Sequence, residues 1–142
     1  MEKITTIQKL AWVFAVMFLL VVVMTNIPAF NDARGYNFGL YKIHLIDNVV
    51  HLLTFIIGGI CAWYSARLSK WFFIFFGILY GLDALTGLFL QRGVLDFSVF
   101  TNFGGSPNLG FTNILVNLPH VIIAVAMVWI GVSLSQKIVA TN

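Results

Sequence analysis

Four long apolar stretches, separated by shorter polar segments, dominate the chain. They cover about residues 10–27, 46–66, 71–90 and 114–134. Each comes near the about 20 residues that a helix needs to cross a hydrocarbon core. Their apolar character is continuous and not alternating, which excludes a transmembrane β-barrel. Backbone in lipid must then satisfy its own hydrogen bonds as helix. The pattern predicts an all-α protein, a four-transmembrane-helix bundle running up-down-up-down, as a single integral membrane domain over 1–142. The segment Arg67-Leu68-Ser69-Lys70 reads as a tight turn that makes spans two and three antiparallel neighbours. Two longer outer loops, about 28–45 and 91–113, are rich in Gly, Asn, Phe and Tyr, and the second contains the turn signal Gly104-Gly105-Ser106-Pro107-Asn108. Their aromatics (Phe30, Tyr36, Phe38, Tyr41, Phe97, Phe100, Phe103 and Phe111) are expected to fold over the outer face.

Composition sharpens this picture. Of 142 residues only 9% are charged, against about 25% in a soluble domain, and 60% are hydrophobic, with 14 Phe and 4 Trp that one small soluble core could not hide. The net charge of +3 arises from 8 basic and 5 acidic residues, too sparse for a nucleic-acid-binding surface. The basic residues instead gather at span ends. Lys3, Lys9, Arg67, Lys70 and Lys137 lie on the side of the termini and the tight turn, while Arg34, Lys42 and Arg92 lie in the longer loops. That bias is expected to place both termini in the cytoplasm of a bacterial inner membrane. Trp12, Trp63 and Trp71 fall near the same ends, as interfacial indoles do. Lys3 and Lys9 ahead of an apolar run resemble a secretory signal. The run is long, however, and Asn26-Ile27-Pro28-Ala29-Phe30 lacks a small-x-small cleavage site, so span one reads as a retained anchor. Cys61 is the single cysteine, so no internal disulfide forms, and it reads as an inert hydrophobe at mid-span.

Spans two and four begin alike: Asn48-Val49-Val50-His51 is echoed by Asn117-Leu118-Pro119-His120. Seven and eleven residues beyond each histidine stand compact residues, Gly58 and Ala62 in one span and Met127 and Gly131 in the other. These offsets share a helical face, and small residues there permit close contact in lipid. The chain thus reads as a weakly repeated hairpin. A rise of about 1.5 Å per residue puts His51 and His120 on the order of 5–10 Å below the outer boundary, with Asp83 of span three roughly 10–12 Å below it. Two histidines and a carboxylate from three helices are therefore expected to converge, with Asp47, Asn48 and Asn117 completing a polar cluster.

Charges at this depth cost at least about 2.5–3.5 kcal/mol unless they find partners. Three readings stand for the cluster. The plainest is a hydrogen-bond network that fixes helix register. The second is a cofactor site, with His51 and His120 as axial ligands of a b-type haem, or with Asp83 joining them around a divalent metal. Helices in chain order around a square would put spans two and four on a diagonal, on the order of 12–14 Å apart, which favours haem over one small ion. The third is proton or solute handling. His44 is expected to be solvated or packed at the interface, and Pro119 to be a first-turn proline. Gly77-x-x-x-Gly81 is a close-packing motif for contact within the bundle or for dimerisation. There is no nucleophile–base pair, phosphate loop or nucleotide fingerprint, so catalysis on a soluble substrate is not indicated.

Phe38-Gly39-Leu40-Tyr41 leading to Asp47-Asn48-Val49-Val50-His51-Leu52-Leu53-Thr54, then a short basic turn and Tyr80-Gly81, resembles a widespread group of small four-helix bacterial membrane proteins known as a domain of unknown function. A second Asn/Asp-x-x-His at the start of the last span, here Asn117 to His120, belongs to the same resemblance. Phe55 replaces a usual glycine, and Pro119 an ordinary helix former. The resemblance implies the four-span topology and points to the two histidine motifs, and it implies no activity. The sequence as a whole favours a small accessory or scaffold protein that lives in the lipid bilayer and packs with other membrane proteins or with copies of itself. A haem- or metal-binding protein using His51 and His120 is the alternative, and a proton-coupled transporter the less favoured one.

Overall fold

A computed structural model of the chain describes residues 4–101 and 105–134. Lys3, Phe103, Gly104 and Lys137, which figure in the readings above, lie outside the described residues. The predicted all-α bundle is present. Helices α1 (Thr6–Thr25), α2 (Leu45–Tyr64), α3 (Ala66–Leu90) and α5 (Phe111–Ser133) are each long and apolar enough to cross a membrane, and α4 (Ser98–Thr101) is a single turn in the second long connection. This is an integral membrane protein.

Its surface is apolar where a soluble protein's would be polar. Val13, Leu20, Ile60, Phe75, Ile122 and Val125 stand exposed on the helix flanks, as lipid-facing side chains must. Trp63, Trp71 and Trp129 also face outward. The interior holds small and aromatic residues: Ala11, Ala15, Phe18, Phe73, Tyr80 and Met127 are all fully enclosed. Gly58, Ala62, Met127 and Gly131, the residues repeated after each histidine, are likewise buried.

Packing follows the two halves of the sequence. The most extensive contacts join α3 to α5 and α1 to α2, with smaller ones between α2 and α3 and between α1 and α3. Helix α5 barely touches α1 or α2. The expected square is therefore a rhombus: α1 and α3 meet across the short diagonal and α5 hangs on α3 alone. Small residues decide this. A Cβ on Gly77 would lie 2.8 Å from Val128 Cγ2 and 3.0 Å from its backbone nitrogen, so glycine lets α5 come close. The Gly77-x-x-x-Gly81 motif is thus used inside the bundle.

Several boundaries differ from those read in the sequence. The break between α2 and α3 is not a four-residue turn at Arg67–Lys70. It is the single extended residue Ser65, whose side chain accepts the Leu68 N–H at 3.1 Å as an N-cap. Arg67-Leu68-Ser69-Lys70 is already the first turn of α3, and Ser69 Oγ donates back to the Cys61 and Ser65 carbonyls. Cys61 is accordingly half-buried near the end of α2 and does not lie buried at mid-span. Helix α1 begins earlier than expected, because Thr5 and Gln8 form a capping box. Pro119 sits well inside α5 and not in its first turn. It removes the hydrogen bond that would otherwise reach the Leu115 carbonyl. The outer aromatics do not all fold inward: Phe38, Phe97, Phe100 and Phe111 remain exposed.

Candidate functional site

Asp83, His120 and His51 come together at the end of the bundle that carries the two long connections. The Asp83 carboxylate is their anchor. Its Oδ2 lies 2.7 Å from His120 Nδ1, and its Oδ1 accepts the Leu95 N–H at 2.8 Å, with the Val94 N–H also turned toward it. One buried side chain on α3 therefore fixes α5 and folds the second connection back onto the bundle. The bond to Asp83 engages His120 Nδ1 and leaves Nε2 as the other ring nitrogen, a hydrogen-bond acceptor when the imidazole is neutral.

His51 belongs to an aromatic stack. Its ring centroid lies 5.9 Å from Phe18, 6.3 Å from Tyr80 and 6.5 Å from His120. Tyr80 in turn meets the His120 ring edge-on at 5.3 Å, and its hydroxyl lies 3.4 Å from Thr54 Oγ1. His51 Nδ1 is buried without a hydrogen-bond partner, since the Asp47 carbonyl one turn earlier lies beside the ring without closing an aligned bond.

The rest of the expected cluster divides. Asp47 faces the same space but gives an oxygen to the His44 N–H at 2.7 Å, closing the start of α2. His44 is therefore the residue before the helix, exposed and capped, and no part of a ligand set. Asn117 is buried beside Gly87 and donates to the Asn113 carbonyl at 2.9 Å. Asn48 does not join the cluster: it turns to α1, where Thr25 Oγ1 donates to its Oδ1 at 2.7 Å.

The side chains show neither a three-ligand metal group among the described residues nor an open slot for a macrocycle between the two imidazoles. Among the described residues no group of three or more His, Cys, Asp or Glu is disposed to hold a metal ion. Both oxygens of Asp83 and the Nδ1 of His120 are already engaged with protein partners. For a haem, the Tyr80 ring lies against both imidazoles and occupies a flank of the gap that a macrocycle centred between them would fill.

What the residues do enclose is a cavity of about 530 Å³, bounded by all four long helices and roofed by both connections. Phe18, His51, Asp83, Asn117 and His120 line its floor, and Asn37, Asp47, Asp96 and Ser98 its upper wall. Asn37 Oδ1 is the second buried side-chain atom without a partner among the described residues, and Asn37 is one of the residues around the same cavity. Phe38, Gln91 and Phe97 hold left-handed backbone conformations in the connections above it, where non-glycine residues are strained.

Sequence reasoning found the three titratable residues and Tyr80. It missed Phe18, one apolar residue among many in span one, and the backbone N–H of Leu95, which no side-chain signature announces. Asn37 had a signal, an Asn between two turn-forming glycines. No family model, curated protein or solved structure matches the chain.

Proposed function

We propose that the protein is a membrane-embedded binding protein that holds a small ligand in the cavity at the long-connection end, its role being binding and not catalysis. The observation that carries this reading is the coincidence of two features. The two residues whose buried side-chain polar atoms lack partners among the described residues, His51 and Asn37, both border one cavity. Its volume falls within the about 300–1,000 Å³ of ligand sites. His120, with 27% of its side chain accessible, adds a polar group on that border that a ligand can reach. The test is native mass spectrometry of the full chain released from native-lipid nanodiscs. A small-molecule adduct is expected, and Val116→Trp, which fills the cavity, should remove it. An adduct retained by Val116→Trp, or none from native membrane, would overturn the reading.

A second reading is favoured by the exposed aromatics of the connections, Phe38, Phe97 and Phe100, each more than half exposed at 56%, 56% and 59%. They suit packing against another membrane protein, so that the chain acts as an accessory or scaffold subunit. Photo-crosslinking from position 100 should then capture one partner. The Lys and Arg distribution supports both termini in the cytoplasm of a bacterial inner membrane. The Asn-x-x-His pair of α2 and α5 supports kinship with the small four-helix group noted above.

A further inference from the structure

We propose that the ligand of this cavity is a neutral amphiphile with a hydroxyl head, which enters sideways from the bilayer between α2 and α5 and donates its hydroxyl hydrogen to Nε2 of His120. The inference rests on the binding role proposed above and names the ligand class.

The side entrance follows from the packing. Helix α5 is held by α3 and stands off α1 and α2. The cavity between them has apolar walls from Phe18, Val21, Met24, Val50, Val116 and Ile123. These walls suit a hydrocarbon tail. The polar floor lies at their inner edge, and there His120 keeps 27% of its side chain accessible while Asp83 behind it keeps 8%. A head group therefore meets the imidazole first.

The chemistry of the head follows from what is already engaged. Asp83 engages Nδ1 of His120, and in the neutral imidazole that this proposal requires Nε2 offers a lone pair and needs a donor. An anionic head is disfavoured, because Asp47, Asp83 and Asp96 face the cavity and Lys42 and Arg92 do not outnumber them. A cationic head meets Lys42 and Arg92 in the same lining, and carboxylates that are each already partly engaged. Asp83 serves His120 and Leu95, Asp47 serves the His44 N–H, and Asp96 serves the Ser98 N–H at 2.9 Å. A neutral hydroxyl is left. It can donate to Nε2 of His120.

The experiment uses the full chain in lipid nanodiscs with nitrogen-15 histidine, titrated with p-octylphenol and with its methyl ether, p-octylanisole. The phenol should bind saturably and shift the His120 Nε2 resonance. It should bind about tenfold tighter than the ether, the factor that one hydrogen bond of about 1.4 kcal/mol supplies. His120→Gln should reduce the phenol to the affinity of the ether. Val116→Trp leaves the His120–Asp83 pair intact, so an unchanged His120 spectrum reports its fold, and it should block both probes. Equal affinity for phenol and ether, or an undiminished preference in His120→Gln, would sink the hydroxyl docking. If Val116→Trp still blocked both probes, the binding cavity itself would stand. Probes indifferent to Val116→Trp would remove the cavity reading as well. Tighter binding of octanoate than of the phenol would overturn the neutral head, and tailless phenol binding as well as p-octylphenol would overturn entry from the bilayer.

Discussion

Removing the Asp83 carboxylate tests whether one side chain holds α5 and the second connection in place. Asp83→Ala strands two buried donors at once, the Leu95 N–H and His120 Nδ1–H. A hydrogen bond to a charged group contributes about 1.5–3 kcal/mol, so the two together come to about 3–6 kcal/mol. His120 is 27% accessible and regains some water, so the total should fall near the lower figure, about 3 kcal/mol. Asp83→Asn should cost only about 1 kcal/mol. Its carbonyl still accepts from Leu95, and its amide can donate to His120 Nδ1 once the imidazole moves its hydrogen to Nε2. That exchange has a second consequence: Nε2 becomes a donor, so the preference for p-octylphenol should vanish in a protein that is barely destabilised. Stability would be read by denaturant titration in mixed micelles, and the anchoring of the connection by hydrogen exchange at the Leu95 amide. An Asp83→Ala protein less than about 1 kcal/mol weaker, with Leu95 as protected as before, would refute the anchoring argument.

The glycine pair of α3 gives a contrast. Gly77→Ala drives a Cβ to 2.8 Å from Val128 Cγ2 and 3.1 Å from Met127 Cβ, and should cost about 1–3 kcal/mol of overpacking. Gly81→Ala meets Ala124 at an ordinary 3.5 Å and should be near neutral. Equal losses in the same titration, or a change confined to oligomeric state, would mean the motif serves a contact between copies. In the first connection, Asp32 accepts the Tyr36 and Arg34 N–H groups at 2.9 and 2.8 Å and pairs with the Arg34 guanidinium. These bonds, that from Tyr36 foremost, hold its carboxyl below the ordinary 3.8. A depressed folded value means that the turn's stabilisation is complete above 3.8 and lost as pH falls through the lower folded value. The Tyr36 amide should therefore stay protected until pH drops below about 3.8, and a midpoint at or above that value would contradict the assignment.

The spans are legible because length and continuous apolarity report the solvent directly. Which face of each span points inward is much less so. A lipid-facing face and a core face are both apolar, so Phe18 against His51 looks no different in the sequence from Val13 or Leu20 against lipid. Only size and polarity break the tie, which is why Gly58, Gly131 and Asp83 could be placed and Phe18 could not. Helix ends were misplaced where a cap outweighs composition, as at Ser65 and Thr5.

The repeated Asn-x-x-His carries more information than its four letters suggest. Read as a list, it put Asn48 and Asn117 into one cluster with the histidines, and the structure separates them. Asn48 leaves the cluster for Thr25 at the end of α1. Asn117 packs against Gly87 near the end of α3, so closely that no Cβ could stand there. In each half, then, the asparagine binds the preceding helix of its own hairpin, and the histidine three residues later is free to turn toward the centre. Residues three apart are neighbours on a helix surface yet not superimposed, so one motif can face two ways. The asparagines close each hairpin, and the histidines are presented by the two hairpins to a shared space, 6.5 Å apart. A motif serving packing alone would have no need to bring the second residue of each copy to the same cavity, and that convergence gives the site its weight as the functional centre.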